Sequence, residues 1–262
     1  MDVRAAQKLG LCIVCLLASA LANTAEPVST GAVLENALAA YAKLHDYTCM
    51  LSRKELVNGI IKEQKDIRFE FKKPGYFYMK WAGDLIQQAV YIDGKNDNKL
   101  MLRGGGLFRF VTMSVDPSKA LKYNRHPIVD ADIGHILKIF EANYRRARVD
   151  KEAIVKYEHE EQLDGRNTWL FRALLPPDKG YYGHRINVHI DQTLRLPIRI
   201  EVFGWNDELL EMYHYSDLKL NVGLSDDDFD LAKHRHRPEL THELATPLSR
   251  LSAGTPVFTK TE

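Results

Sequence analysis

The run Ile67-Arg68-Phe69-Glu70-Phe71, followed by Lys72-Lys73-Pro74-Gly75 and then Tyr76-Phe77-Tyr78-Met79-Lys80-Trp81, decides how this chain is read. Side chains alternate across a strand, so Ile67, Phe69 and Phe71 share one face while Arg68 and Glu70 share the other. Lysine, proline and glycine then break the strand, and a second aromatic strand returns. Two long apolar-polar ribbons joined by a short turn mean an antiparallel sheet with one covered face.

The same pattern extends outward. Upstream, residues 47–57 form a strand that turns at Asn58-Gly59, a dipeptide suited to a tight hairpin, into residues 60–71. Downstream, residues 88–92, 99–102 and 107–113 are further strand candidates, separated by Asp93-Gly94 and Gly104-Gly105-Gly106. A second set follows at residues 153–163, 168–174, 185–191, 196–204 and 209–218, with turns at Asp164-Gly165 and Asn206-Asp207. Two segments carry helical spacing instead. Ser29 or Thr30 can cap a helix with Val33, Leu34, Ala37, Leu38, Tyr41 and Leu44 along one side. Residues 130–148 place Ile133, Ile136, Leu137, Phe140 and Tyr144 together, with Asp130 or Asp132 at the start and Arg145, Arg146 and Arg148 at the end. The fold class expected is α+β: a strongly curved antiparallel sheet of about ten strands, an unclosed half-barrel wrapped over the N-terminal and central helices.

The ends read differently. Arg4 and Lys8 precede the apolar run Leu9-Gly10-Leu11-Cys12-Ile13-Val14-Cys15-Leu16-Leu17, and Ala18-Ser19-Ala20-Leu21-Ala22 offers small residues for cleavage. This is the layout of a secretory signal peptide, which assigns residues 1–22 to export and places the mature chain in the periplasm or otherwise across the bacterial inner membrane. The apolar run falls short of the roughly 20 residues that span a bilayer, so the mature chain is expected to lack a transmembrane segment. Residues 23–232 are then one domain, and residues 233–262, rich in histidine, arginine and proline, a poorly packed tail.

Composition narrows the function classes. The full chain of 262 residues has a formal charge of +1, and the expected mature chain has none. A nucleic-acid binder would need a basic footprint to neutralise phosphates, so nucleic acid is not an expected partner. Of three cysteines, Cys12 and Cys15 belong to the export segment. Cys49, alone in the strand Tyr47-Thr48-Cys49-Met50-Leu51, reads as a small buried hydrophobe.

Catalytic motifs are missing. The chain has no G-x-S-x-G, no H-E-x-x-H, and no lysine-serine/threonine after its glycine run. His234, His236 and His242 have a metal-like spacing, but the interleaved Arg235 and Arg237 favour a solvated basic patch. Glu158, Glu160 and Glu161 fit the exposed face of a strand, and Asp226-Asp227-Asp228 after Ser225 fits a capped turn. No cofactor, no metal and no catalytic residue is expected. The aromatics are the stronger signal: Phe69, Phe71, Tyr76, Tyr78, Trp81, Phe108, Phe110, Trp169 and Phe171 recur at strand spacing. Most serve packing, yet such a set is also what an acyl-chain cavity needs, and these nine are the candidate lining.

Three stretches carry a family resemblance: the helix-to-strand passage at 33–51, Phe71-Lys72-Lys73-Pro74-Gly75-Tyr76-Phe77-Tyr78, and Pro197-Ile198-Arg199-Ile200-Glu201-Val202 with Tyr213, Tyr215, Asp217, Leu218, Asn221, Gly223, Leu224 and Phe229 behind it. In this order the chain resembles the bacterial periplasmic lipoprotein-carrier and outer-membrane lipoprotein-sorting superfamily, and within it a subfamily of unassigned function. The resemblance covers most of residues 30–232. It implies a helix-covered, unclosed barrel with an apolar cavity for lipid-modified partners. The chain departs from the short carriers in length, in its central segment and in its tail, and no functional arginine of the carriers is carried over to a position in it. The expected function is a non-enzymatic envelope protein binding a lipid, acyl chain or lipoprotein. A sensor or protein-interaction module with a packed core stands second, and a metal-dependent hydrolase third.

Overall fold

The computed structural model describes residues 28–82, 85–122, 124–151 and 153–233. Residues 1–22, read from the sequence as an export signal, and the histidine-rich stretch from His234 onward lie outside the described residues.

Helix α1 (Thr30–Ala42) opens the described chain, and the Ser29 hydroxyl accepts from the Ala32 amide at 3.4 Å. Six strands follow: β1 (Asp46–Val57), β2 (Ile60–Lys72), β3 (Tyr76–Lys80), β4 (Ile86–Ile92), β5 (Leu100–Gly104) and β6 (Thr112–Val115). A short helix α2 (Pro117–Ala120) and a 3-10 turn (Ile128–Ala131) lead to α3 (Ile133–Asp150). Five more strands complete the fold: β7 (Ile154–Leu163), β8 (Arg166–Leu174), β9 (Arg185–Asp191), β10 (Pro197–Phe203) and β11 (Leu209–Leu220). A last 3-10 turn spans Asp226–Phe229.

All eleven strands form one sheet in the order β6-β5-β4-β3-β2-β1-β11-β10-β9-β8-β7, and every neighbouring pair is antiparallel. Two meanders therefore meet where the first strand pairs with the last, and β6 and β7 are the unjoined edges. That is the α+β half-barrel expected from the alternation.

Both longer helices lie on one face, the inner face. There Tyr47, Phe71 and Phe77 stack across β1, β2 and β3 with ring centroids 5.3 and 5.1 Å apart. Ile133, Leu137 and Phe140 of α3 and Val33, Leu34 and Ala37 of α1 join the same buried core. The start of α3 is pinned by polar groups. Asp132 accepts from the hydroxyls of Tyr41 (2.5 Å) and Tyr47 (3.1 Å), while the Tyr47 hydroxyl also accepts from the Ile133 amide at 3.1 Å. Burial raises the Asp132 carboxyl above the ordinary carboxylate range, against the lowering effect of these donors. Gly134 sits against this knot, and a Cβ there would lie 2.3 Å from Tyr41 Cζ.

One expected strand is different. Residues 107–113 do not form a single strand: Gly106–Phe108 is a 3-10 turn and β6 begins only at Thr112. The glycine run turns the chain early, and the amide of Gly104 closes the loop on the Val111 carbonyl at 3.2 Å.

Candidate functional site

The site follows from a local departure from simple alternation. In Ala89-Val90-Tyr91-Ile92 both faces of β4 are apolar, so one set packs inward and the other must be covered on the outer face. Val90 pairs with Met101 of β5 and with Tyr78 of β3, while Ile92 pairs with Tyr76. The chain leaving β11 supplies the cover. It is fastened by Asn221, whose side chain accepts from the His45 amide at 2.8 Å, and by Asp46, which accepts from the Gly223 amide at 3.1 Å. Asp228 then accepts from both the amide (2.7 Å) and hydroxyl (2.9 Å) of Ser225, a capped turn as the Ser-Asp run foretold. Lys72 and Tyr76 reach Asp226 at 2.7 and 3.2 Å, and the Phe229 ring stands edge-on to Tyr76 at 5.3 Å. The Lys72 hydrogen bond holds the Asp226 carboxyl below its usual range.

Between this cover and β4–β5 lies a cavity of about 390 Å³. Its apolar wall is Val90, Ile92, Met101, Phe229 and Leu231; its polar lining comprises Lys95, Asn96, Lys99, Arg103, Thr112, Asp226 and Asp230. Lys95 and Lys99 are exposed at the rim, whereas Arg103 is buried. By contrast, the gap on the inner face between α3 and β8–β10, lined by Ile139, Phe140, Phe171 and Val188 among others, measures about 10 Å³. That is at most the space of one water.

The nine aromatics expected to line a cavity are distributed over three environments. Phe69, Phe71 and Phe171 are buried in the inner core, with Trp81 and Trp169 half-buried at its margin. Tyr78 is buried and Tyr76 half-buried on the outer face, in the small cluster with Phe229 beside the cavity. Phe108 and Phe110 are exposed on the loop before β6. The residues that do wall the outer cavity lay in plain view as the doubly apolar β4 and as Phe229 and Leu231 after the last strand. Alternation on one face alone does not single them out.

Two further polar clusters have chemistry of their own. At one end of the inner face, Glu55 accepts from the Tyr213 hydroxyl and from the Arg125 amide (3.1 Å), and Arg53 lies 3.7 Å from its carboxylate. Beside it, Glu211 is 2.6 Å from His126 Nε2 and accepts from the Tyr182 hydroxyl at 3.0 Å. Burial disfavours a charged His126, but its contacts with Asp130 and Glu211 outweigh that and raise it to about 9. Here an imidazolium and two arginines neutralise three carboxylates, which fastens the segments around residues 125 and 182 over the sheet. On the outer face of β7–β11, His189 lies 2.5 Å from Glu161 and 3.9 Å from Glu201. The Glu201 carboxyl falls to about 2, chiefly through the neighbouring His189, with hydrogen bonds from Asn187 (3.1 Å) and Arg199 adding to it. Burial lowers His214, which faces Asp164 at 2.9 Å. Among the described residues, no group of three or more His, Cys, Asp or Glu side chains is arranged to hold a metal ion. Cys49 is buried, and burial pushes its thiol well up.

The family model described as "Protein of unknown function (DUF1571)" matches residues 44–237. No curated protein matches the sequence. Among solved structures, the chain is similar to MucB (14% identity over 76% of this chain and 62% of that one, TM-score 0.45). It thus spans about three-fifths of that protein's length. It is also similar to the Mycobacterium tuberculosis lipoprotein LppX (12% identity, 77% and 100% coverage, TM-score 0.43). A third is a LolA superfamily protein from Nitrosomonas europaea (12% identity, 78% and 98% coverage, TM-score 0.28). No described helix is long and apolar enough to cross a membrane.

Proposed function

Since this chain belongs to the DUF1571 family, we propose that it is a non-enzymatic cell-envelope protein whose outer-face cavity holds an acyl chain, free or attached to a lipid or lipoprotein. The observation that carries this reading is the cavity itself. Its volume of about 390 Å³ falls in the range of small-molecule sites, which are apolar clefts with a few placed polar groups. Each methylene buried contributes about 0.8 kcal/mol, so eight of them supply about 6 kcal/mol. Lys95 and Lys99 at the rim suit an acidic head. The export signal read at residues 1–22 supports the envelope as the place of work.

The test uses delipidated protein and a fluorescent fatty acid. Saturable binding near one equivalent is expected, with loss on filling the cavity by Val90→Trp or Met101→Trp. An alcohol of the same chain length binds more weakly if the lysines select the head. Absence of saturable binding, or binding undiminished in both filled variants, overturns the reading.

A second reading, a protein-interaction module with a packed interior, is favoured by one observation. The inner-face gap at α3 admits no chain.

A further inference from the structure

The most exposed large apolar side chain of the described structure is Leu107, at 95% of its full accessibility. It is not alone. Phe108, Phe110, Val111 and Met113 are all exposed, gathered at the β5–β6 connection, with Leu85 of the neighbouring connection exposed beside them. Such a group costs solubility, and its exposure is built rather than accidental. The amide of Phe108 donates to the Gly105 carbonyl (2.9 Å) and that of Val111 to the Phe108 carbonyl (2.8 Å), closing two successive turns. The Gly105 amide ties the loop to the Leu85 carbonyl at 2.9 Å. Glycine is required at the base: a Cβ on Gly104 would lie 2.5 Å from the Phe108 carbonyl oxygen, and Gly106 has φ of +52°. The backbone thus holds a convex apolar knob away from both packed cores.

The knob carries a cation, Arg109, whose guanidinium lies 4.8 Å from the Phe110 ring centre. It also begins where the cavity ends. Arg103 and Thr112, paired across β5 and β6, both line the cavity, and residues 104–111 run directly on from them.

We propose that this loop is a membrane-docking tip that inserts Leu107, Phe108 and Phe110 into the surface of a phospholipid bilayer. A protein partner would need a socket shaped to a convex turn, whereas acyl chains close around any apolar shape. Arg109 among these side chains is placed to keep its stem in the apolar layer and its charge among phosphates. Docked in this way, the molecule presents the cavity wall at the depth of the lipid head groups. The proposal goes beyond the acyl-chain reading and does not depend on it.

The experiment floats the protein, purified from the cell envelope, with mixed phosphatidylcholine and phosphatidylglycerol vesicles. Wild type is expected to float. Leu107→Asp and Phe110→Asp are each expected to weaken partitioning about tenfold or more, given what burying one such side chain contributes. Both positions are exposed, so fatty-acid binding stays within about twofold. A Leu107→Trp variant is expected to gain a blue-shifted emission on vesicles that bromine-labelled acyl chains quench. Three results overturn the proposal: wild type that fails to float, Asp variants that float as well as wild type, or emission from the Leu107→Trp variant that is neither shifted nor quenched. Met101→Trp separates the two readings: it is expected to lose fatty-acid binding and still float. Tip-dependent flotation in a protein that binds no fatty acid would leave the tip standing and remove the cavity function.

Discussion

Raising the pH through about 9 unfastens one end of the half-barrel, and His126 is the group that senses it. Its Nε2 lies 2.6 Å from Glu211, its Nδ1 lies 3.4 Å from Asp130, and the Tyr182 hydroxyl lies 3.2 Å from Nε2. Arg125 approaches the same Glu211 oxygen at 3.5 Å, and the Tyr213 ring packs 6.4 Å from the imidazole. The ring is about a quarter exposed, so solvent screens these contacts only in part. Burial works against the imidazolium; the two carboxylates more than reverse it and raise the group from an ordinary 6.5 to about 9. A folded-state value above the unfolded one means that the stabilisation is complete below about pH 6.5 and disappears as pH rises through about 9. At about 1.4 kcal/mol per pH unit the full interval is worth roughly 3 kcal/mol. Solvent screening of the part-exposed ring brings the expectation to about 2 kcal/mol. Urea unfolding followed by tryptophan fluorescence, for wild type and His126→Gln from about pH 6 to about pH 10, isolates this group from the other titrations. The stability advantage of wild type should shrink by about 2 kcal/mol, falling steadily between about pH 6.5 and about pH 9 and levelling off above that. A difference between the two proteins that is flat with pH, or that grows, refutes the reasoning.

Two smaller perturbations test the packing. Gly134→Ala brings a methyl group to within 2.3 Å of Tyr41 Cζ and 2.6 Å of the Asp132 carboxylate. Although alanine is the better helix former by about 1 kcal/mol, overpacking should win, with a net loss of about 1–2 kcal/mol in a denaturant titration; a more stable variant would show that the knot yields freely. Cys49 is buried with its thiol pushed far above the ordinary range. Mass-mapped alkylation near neutral pH should therefore leave it unmodified until the protein unfolds, and rapid labelling of native protein would contradict its place between β2 and β11.

The fold was legible because one rule repeats along the chain. Ile67, Phe69 and Phe71 alternate with charged residues, and the turns at Asn58-Gly59 and Asp164-Gly165 are built by residues with positive φ, so strand limits could be read within a residue or two at those hairpins. Helix α3 was equally plain, since Ile133, Ile136, Leu137 and Phe140 recur at helical spacing and all face the core. The loop at 107–113 misled for a physical reason. Leucine, phenylalanine and valine there look like strand residues, but burial is what makes them pack in a sheet, and three preceding glycines turn the backbone before pairing resumes at Thr112.

The same limit governs the site. Periodicity says that two apolar residues share a face; it does not say which of two apolar faces the helices will cover. In β3 and β4 that ambiguity is real: Phe77 and Tyr91 face the helices, whereas Tyr78 and Val90, one residue away in each strand, face outward. Helices α1 and α3 pack on the inner face, where the gap between α3 and β8–β10 measures about 10 Å³. Among the described residues, a short 3-10 turn and the residues around it cover the outer face of β3–β5. That segment is anchored at Asp46 and Lys72 and packs against β3 and β4. The outer cavity is the consequence: an apolar wall wider than the described segment that covers it, opening beside a loop whose apolar side chains are exposed.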